Sequence, residues 1–384
     1  MRSAFGTTAI AKRGLLNIRK QALRQFMEKG EKLEFPTAVA PRATLVITAH
    51  NHAYHTLACL QSLQPFVDSS IEVLVQDDAS TSETSALLAR CVNVTVRRNQ
   101  ENRGFLHSAN AAAAAARGKF IIFMNNDARM LGGSLAEALD LFEALPGCGL
   151  MGGRVVQANG GLQEAGCVIF NDGTTNGYLR YEAEDDPRAL FLRDVDYCSG
   201  VFLITRNDVF LKLGGFDPCF APAYYEETDY CMRLRQAGLR CIYNPNLRIE
   251  HFEFGSSTSR RARASISANR MRFFERWQAV MAAEGYPAPA KGAAMAPAAL
   301  RLQQRPRRLL VASARNFDAK AAMALADSGG SLTVFLMGAS RDQTRQAIAA
   351  TGMRVEMISG ASRRAAEALM AARKGWFDEI LPET

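Results

Sequence analysis

From residue 42 onward, short apolar runs alternate with amphipathic or alanine-rich stretches. Residues 43–48, 71–75, 92–96 and 119–124 are runs of the length and composition of strands. Between them, residues 55–63 and 84–90 have helical spacing. Residues 109–116 are almost all alanine, the best helix former. This alternation predicts an α/β fold with a mostly parallel Rossmann-like sheet and helices on both faces. In such sheets ligands bind beyond the carboxyl ends of the strands. Polar clusters fall at three of those ends, at residues 48–52, 77–80 and 125–127.

The flanks read differently. In residues 1–40, Ile10, Leu15, Leu16, Ile18, Leu23, Phe26 and Met27 recur at roughly helical spacing, with Lys12, Arg13, Arg19, Lys20, Arg24 and Lys29 between them. This is a basic amphipathic helix, suited either to peripheral contact with anionic lipid headgroups or to packing on its own domain. Residues 41–280 form the main domain, and residues 281–306, rich in Ala, Pro and Gly, form a linker. Residues 307–384 restart the alternation with three strands. They predict a partial Rossmann-like region, truncated relative to a longer natural chain. No GxGxxG loop follows its first strand, so no chemistry is assigned to it.

Charge narrows the partners. The 384 residues carry a net charge of +8, which fits an anionic ligand. No zinc finger, basic zipper or RNA-binding aromatic signature points to nucleic acid. The eight cysteines include no CxxC pair, so they read as small buried hydrophobes in a reducing compartment. Without a secretory leader pattern or a run long enough to span a bilayer, the expected location is the cytoplasm.

Several residues at the predicted edge can carry chemistry. Asp127 ends a strand, where a carboxylate can hold a metal bridging two phosphates or can simply cap a turn. Asn125 and Asn126 precede it and can ligate weakly or bond a ribose. Asp77 and Asp78 end a neighbouring strand and can accept from a nucleobase or ribose, or cap the next turn. Glu226, Glu227 and Asp229 crowd among tyrosines. They suit either the positive end of a helix or a general base with a raised pKa. Asp229 with Arg233 has the spacing of a surface pair. His251 closes a strand pattern over residues 241–250, followed by Gly255, Ser256, Ser257, Ser259, Arg260, Arg261 and Arg263, a loop and basic run suited to phosphates.

Six stretches in order resemble the family 2 glycosyltransferases of the GT-A fold, most closely the bacterial branch that builds rhamnose-containing and other surface polysaccharides. They are LVITAHNHAYHTLACLQSL (residues 45–63), EVLVQDDAST (72–81), NRGFLHSANAAAAAARGKFIIFMNND (102–127), VDYCSGVFLITRNDVFLKLGGFD (195–217), YYEETDYCMRLRQAG (224–238) and the ending at His251. The resemblance covers about residues 43–275. It implies that Ala49, His50, Asp77 and Asp78 line a nucleotide pocket, with Asn102, Arg103, Gly104 and Asn110 shaping its wall. It further implies that Asp127 and His251 hold Mg²⁺ or Mn²⁺ with the diphosphate, and that Glu227 is the base of an inverting transfer, with Glu226 as rival. The donor would be a UDP- or dTDP-sugar and the acceptor a glycan or lipid-linked glycan. The chain departs from the family pattern twice. Asn125 stands where a metal-site carboxylate is usual, and Glu227 where the base is usually Asp. Two other classes therefore stay open: a nucleotidyltransferase, and a non-catalytic nucleotide- or sugar-binding module.

Overall fold

The structure, a computed structural model, describes residues 4–252, 259–289 and 295–382. The expected loop through Gly255, Ser256 and Ser257 lies outside the described residues, as do Gly292 and the side chains of Arg260 and Arg261.

The chain opens with helix α1 (Ala4–Glu28) and enters the main domain at β1 (Ala43–Ala49). There follow α2 (Ala53–Leu63), β2 (Ile71–Asp77), β3 (Val94–Arg98), α3 (Gly104–Ala115), β4 (Phe120–Asn125), β5 (Ala128–Gly132), β6 (Cys148–Gln157) and β7 (Leu162–Ala165). The domain is completed by β8 (Arg193–Asp194), β9 (Phe202–Arg206), α4 (Glu226–Gln236), β10 (Arg240–His251) and α5 (Ser259–Glu284). Among the described residues β1–β10 form one ten-stranded sheet with main path β8-β10-β6-β9-β4-β1-β2-β3. Six strands of that path run one way; β8 and β9 oppose them. The α/β expectation is met, and β1 shows why. Leu45 and Ile47 pack into the core on one face and Val46 into that on the other, so alternate side chains need helices on both sides.

Register aligns the polar strand ends. Ala49 pairs with Asp77 and Thr48 with Asn125, so β1, β2 and β4 finish on one edge. Tight backbone approach explains Gly118, where a Cβ would lie 2.5 Å from the carbonyl carbon of Ala43.

Helix α1 packs on the domain itself. Leu23 and Phe26 are buried, the helix lies against α2, and Ile18 stays exposed. The stretch expected as a linker is also anchored: α5 runs to Glu284, and Ala298, Ala299 and Leu300 are buried. Arg301 there pairs with Asp196 at 2.7 Å. Beyond it, β11 (Arg307–Ser313), β12 (Ser331–Met337), β13 (Glu356–Gly360) and β14 (Glu379–Leu381) make a parallel sheet in the order β13-β12-β11-β14. The fourth strand corrects the three-stranded expectation; at three residues it was too short to show a pattern. This sheet meets the main domain where Arg341 and Arg345 pair with Asp185, and where Leu192 N–H donates to the Met353 carbonyl at 2.9 Å. Among the described residues no helix is long and apolar enough to cross a membrane.

Candidate active site

Asp127 and His251 are 124 residues apart in the chain, and the sheet brings them together. Strand β5 pairs antiparallel with β10, setting His251 opposite Ala128, next to Asp127. The Asp127 Oδ1 to His251 Nε2 distance is 3.3 Å, and both residues are buried. His251 Nδ1–H donates to Gln163 Oε1 at 2.9 Å, which turns Nε2 toward the carboxylate. An imidazole nitrogen and a carboxylate aimed at each other call for a cation or a proton between them. Among the described residues no group of three or more His, Cys, Asp or Glu is placed to hold a metal. The pair fits a divalent ion only as Mg²⁺ or Mn²⁺ is often held, with substrate phosphates and water completing the shell.

The Asp77–Asp78 pair is already engaged within the protein. Asp78 Oδ1 accepts from Asn99 Nδ2 at 2.7 Å and Arg103 N–H at 2.8 Å, and Oδ2 from Gly104 N–H at 2.9 Å. Asp77 Oδ1 accepts from Ser80 N–H at 2.9 Å, and Oδ2 pairs with Arg98. The turn-cap alternative therefore describes both carboxylates, which fix the shape of the edge. Gly104, at φ +80°, brings its backbone against Pro222, where a Cβ would sit 3.0 Å from the proline Cβ. His50 Nδ1–H donates to the Asp78 carbonyl at 2.7 Å, and its Nε2 faces Asn102 Nδ2 at 3.0 Å. Ala49 contributes its carbonyl, which accepts from Asp78 N–H at 2.8 Å. Asn126 donates to Thr56 Oγ1 at 3.0 Å, and Asn125 N–H to the Val201 carbonyl at 3.0 Å. Asn110 departs from the expectation. Its amide clamps Phe216, donating to the carbonyl at 2.7 Å and accepting from the N–H at 2.9 Å, and so serves packing.

Glu226 and Glu227 open α4. Strand β9 pairs with β4 beyond Asn125, which carries Gly200 to the same edge, and a Cβ on Gly200 would lie 4.0 Å from Glu227 Cβ. Both acids have a buried Oε2 without a partner. Burial pushes the Glu227 carboxyl up to about 7, with the charge of Glu164 adding to the effect. Burial, then the neighbouring Glu227, raises Glu226 well above the usual range. Desolvation here outweighs the helix N-terminus, which favours the ionised forms. Two consecutive tyrosines precede these acids in the left-handed region, Tyr224 at φ 76° and Tyr225 at φ 73°. Such a pair is costly and recurs at functional sites. Helix α5 holds it: Asn269 Nδ2 lies 2.7, 3.0 and 2.9 Å from the carbonyls of Phe220, Ala223 and Tyr224, and Tyr225 packs on Phe273. Asp229 is not the surface partner expected. It is fully buried and takes bonds from Arg233, Arg276 and Trp277 at 2.7, 2.9 and 2.9 Å.

Residues 44–210 match the description "Glycosyl transferase family 2". They are a glycosyl transferase family 2 domain. The chain is 23% identical over 232 residues to an uncharacterized protein, y4gI, of Sinorhizobium fredii, spanning 58% of this chain and 26% of that one. It is 28% identical over 205 residues to the O-antigen biosynthesis protein RfbC of Myxococcus xanthus, spanning 51% of this chain and 16% of that one. The match thus spans about a quarter or less of the length of these relatives. A crystal structure of GalNAc-T7 with UDP, GalNAc and Mn²⁺ aligns with TM-score 0.49 and 16% identity, over 62% of this chain and 48% of that one. Residues 44–210 stop short of Glu226, Glu227 and His251, which the fold returns to the transferase domain's edge. Gln163 and Glu164 lie inside it, yet in a stretch without periodicity, and sequence reading missed both.

Proposed function

We propose that the protein is an inverting, divalent-metal-dependent glycosyltransferase. It moves a sugar from a UDP- or dTDP-linked donor to a hydroxyl of a glycan or lipid-linked glycan, at the cytoplasmic side, in surface polysaccharide synthesis. The observation that carries the reading is the single edge of a family 2 domain that holds both the Asp127–His251 pair and Glu227, whose Oε2 is buried without a partner. The O-antigen relative supports the polysaccharide setting.

In this reading Asp127 and His251 hold the metal, which when bound neutralises charge on the departing diphosphate. The wall built by Asp78 on Arg103 and Gly104, with His50 and Asn102, receives the nucleoside. Glu227, whose carboxyl burial pushes up to about 7, takes the proton of the acceptor hydroxyl through Oε2 when ionised. The acceptor oxygen then bonds the anomeric carbon from the face opposite the diphosphate. The anomeric C–O bond breaks, and the nucleoside diphosphate leaves with the electron pair. Glu226, more deeply buried beside it, is the rival base.

A thermal-shift series with UDP, dTDP, GDP and CDP, each with and without Mn²⁺, tests this first. Ligands that bind only the folded chain raise its melting temperature. A metal-dependent rise with UDP or dTDP is expected; no rise with any nucleotide in a folded sample refutes the reading. Release of pyrophosphate instead of nucleoside diphosphate would point to a nucleotidyltransferase.

A further inference from the structure

One buried cation at the metal corner comes from outside the family segment. Arg19 sits midway along α1 and is only 4% exposed. Its Nη2 donates to Glu250 Oε1 at 2.9 Å, and its Nη1 donates to His55 Nδ1 at 2.7 Å and lies 3.4 Å from the Asp127 carbonyl. The guanidinium lies over the Phe252 ring, 5.1 Å from its centroid. These partners belong to three separate segments. Glu250 and Phe252 bracket His251 on β10 and just beyond it; Asp127 joins β4 to β5; His55 lies on α2, beside Thr56, which holds Asn126.

A single planar fork thus reaches each segment that sets the carboxylate–imidazole pair, and its bonds go to neither functional atom of that pair. Lysine, a point charge on a flexible stem, cannot span three such partners. Holding α1 down does not require the arrangement, because Leu23 and Phe26 already bury its apolar face. A guanidinium taken out of water is costly unless its bonds are met, so its retention in an apolar stripe needs a reason.

We infer that α1 is an integral part of the metal–diphosphate centre, with Arg19 as the positioning residue that fixes Asp127 and His251 relative to each other. The inference rests on the metal reading proposed above. Partners of this kind, one step removed from the ligands, typically change metal affinity about 10–100-fold when removed.

The test is a Mn²⁺ titration of the full chain with UDP present, followed by loss of the free-ion electron paramagnetic resonance signal. It compares wild type, Arg19→Met, Arg19→Lys and Asp127→Ala, with melting temperatures measured alongside. Arg19→Met is expected to weaken Mn²⁺ binding roughly 10-fold or more, Arg19→Lys by less, and Asp127→Ala to abolish it. Should Arg19→Met fail to fold, Arg19→Lys decides on its own. A variant that melts earlier but binds Mn²⁺ with wild-type affinity well below its melting temperature overturns the inference, leaving Arg19 as packing only. If wild type binds Mn²⁺ no better than Asp127→Ala, the metal reading itself falls and the role of Arg19 falls with it.

Discussion

Two pairs of adjacent acids face the same edge and live under opposite rules. Each oxygen of Asp78 accepts from a backbone N–H, and Asp77 is held by Ser80 and Arg98. Glu226 and Glu227 each keep a buried oxygen with no partner, and burial drives both pKa values up. The first pair spends both oxygens of each acid on a wall; in the second, backbone N–H groups such as those of Thr228 and Gly200 at Glu227 reach the carboxyls, yet one oxygen of each stays open. A carboxylate saturated by its own fold is a poor proton acceptor for a substrate, whereas a desolvated and unsatisfied one is ready to take a proton.

The largest expected effect is on the reactive pair. Glu227→Gln should cut transfer roughly 10²–10⁴-fold while leaving the nucleotide-induced thermal shift intact. Retained transfer would hand the role of base to Glu226. The wall should respond in the opposite way: Asp78→Ala strands the Arg103 and Gly104 N–H donors and should cost about 3 kcal/mol in denaturant unfolding, with nucleotide binding lost alongside. If Asp78→Ala is as stable as wild type, the wall is not what that carboxylate builds. Titration separates the pairs next. Transfer should rise with pH through about 7 as Glu227 loses its proton. The folded-state value lies above the ordinary 4.5 of a glutamate, so the associated stability is full below about 4.5 and is lost as pH climbs through about 7. That loss is at most roughly 3 kcal/mol and should be absent from Glu227→Gln. The smallest effect belongs to Glu164→Gln, which removes one of the charges raising Glu227 and should move the pH–rate midpoint down by less than about one unit. An unmoved midpoint would mean that burial alone sets it.

The frame of the main domain was legible because a doubly covered parallel sheet writes itself as apolar runs, and its three polar ends align by register. The site was legible in its parts and less so in its bonding. Sequence spacing brings Asp77 and Asp78 to the edge but cannot tell that backbone donors at Arg103 and Gly104 will occupy them. Asp229 looked like a surface residue because its i,i+4 neighbour is Arg233; Arg276 and Trp277, far along the chain, bury it. Gln163 and Glu164 carry no local signal at all. Arg19 did carry one: it falls with Leu16, Leu23 and Phe26 on one helical stripe, a cation at an apolar position.

The grip of α5 on the turn at Tyr224 and Tyr225 has an evolutionary consequence. The turn that leads into Glu227 is held by Asn269 and Phe273, which lie beyond residues 44–210, the stretch matched as a family 2 domain. Mutations along one helix could therefore shift the proposed base against the wall built on Asp78. A lineage could change the hydroxyl it glycosylates while its recognisable domain hardly drifts.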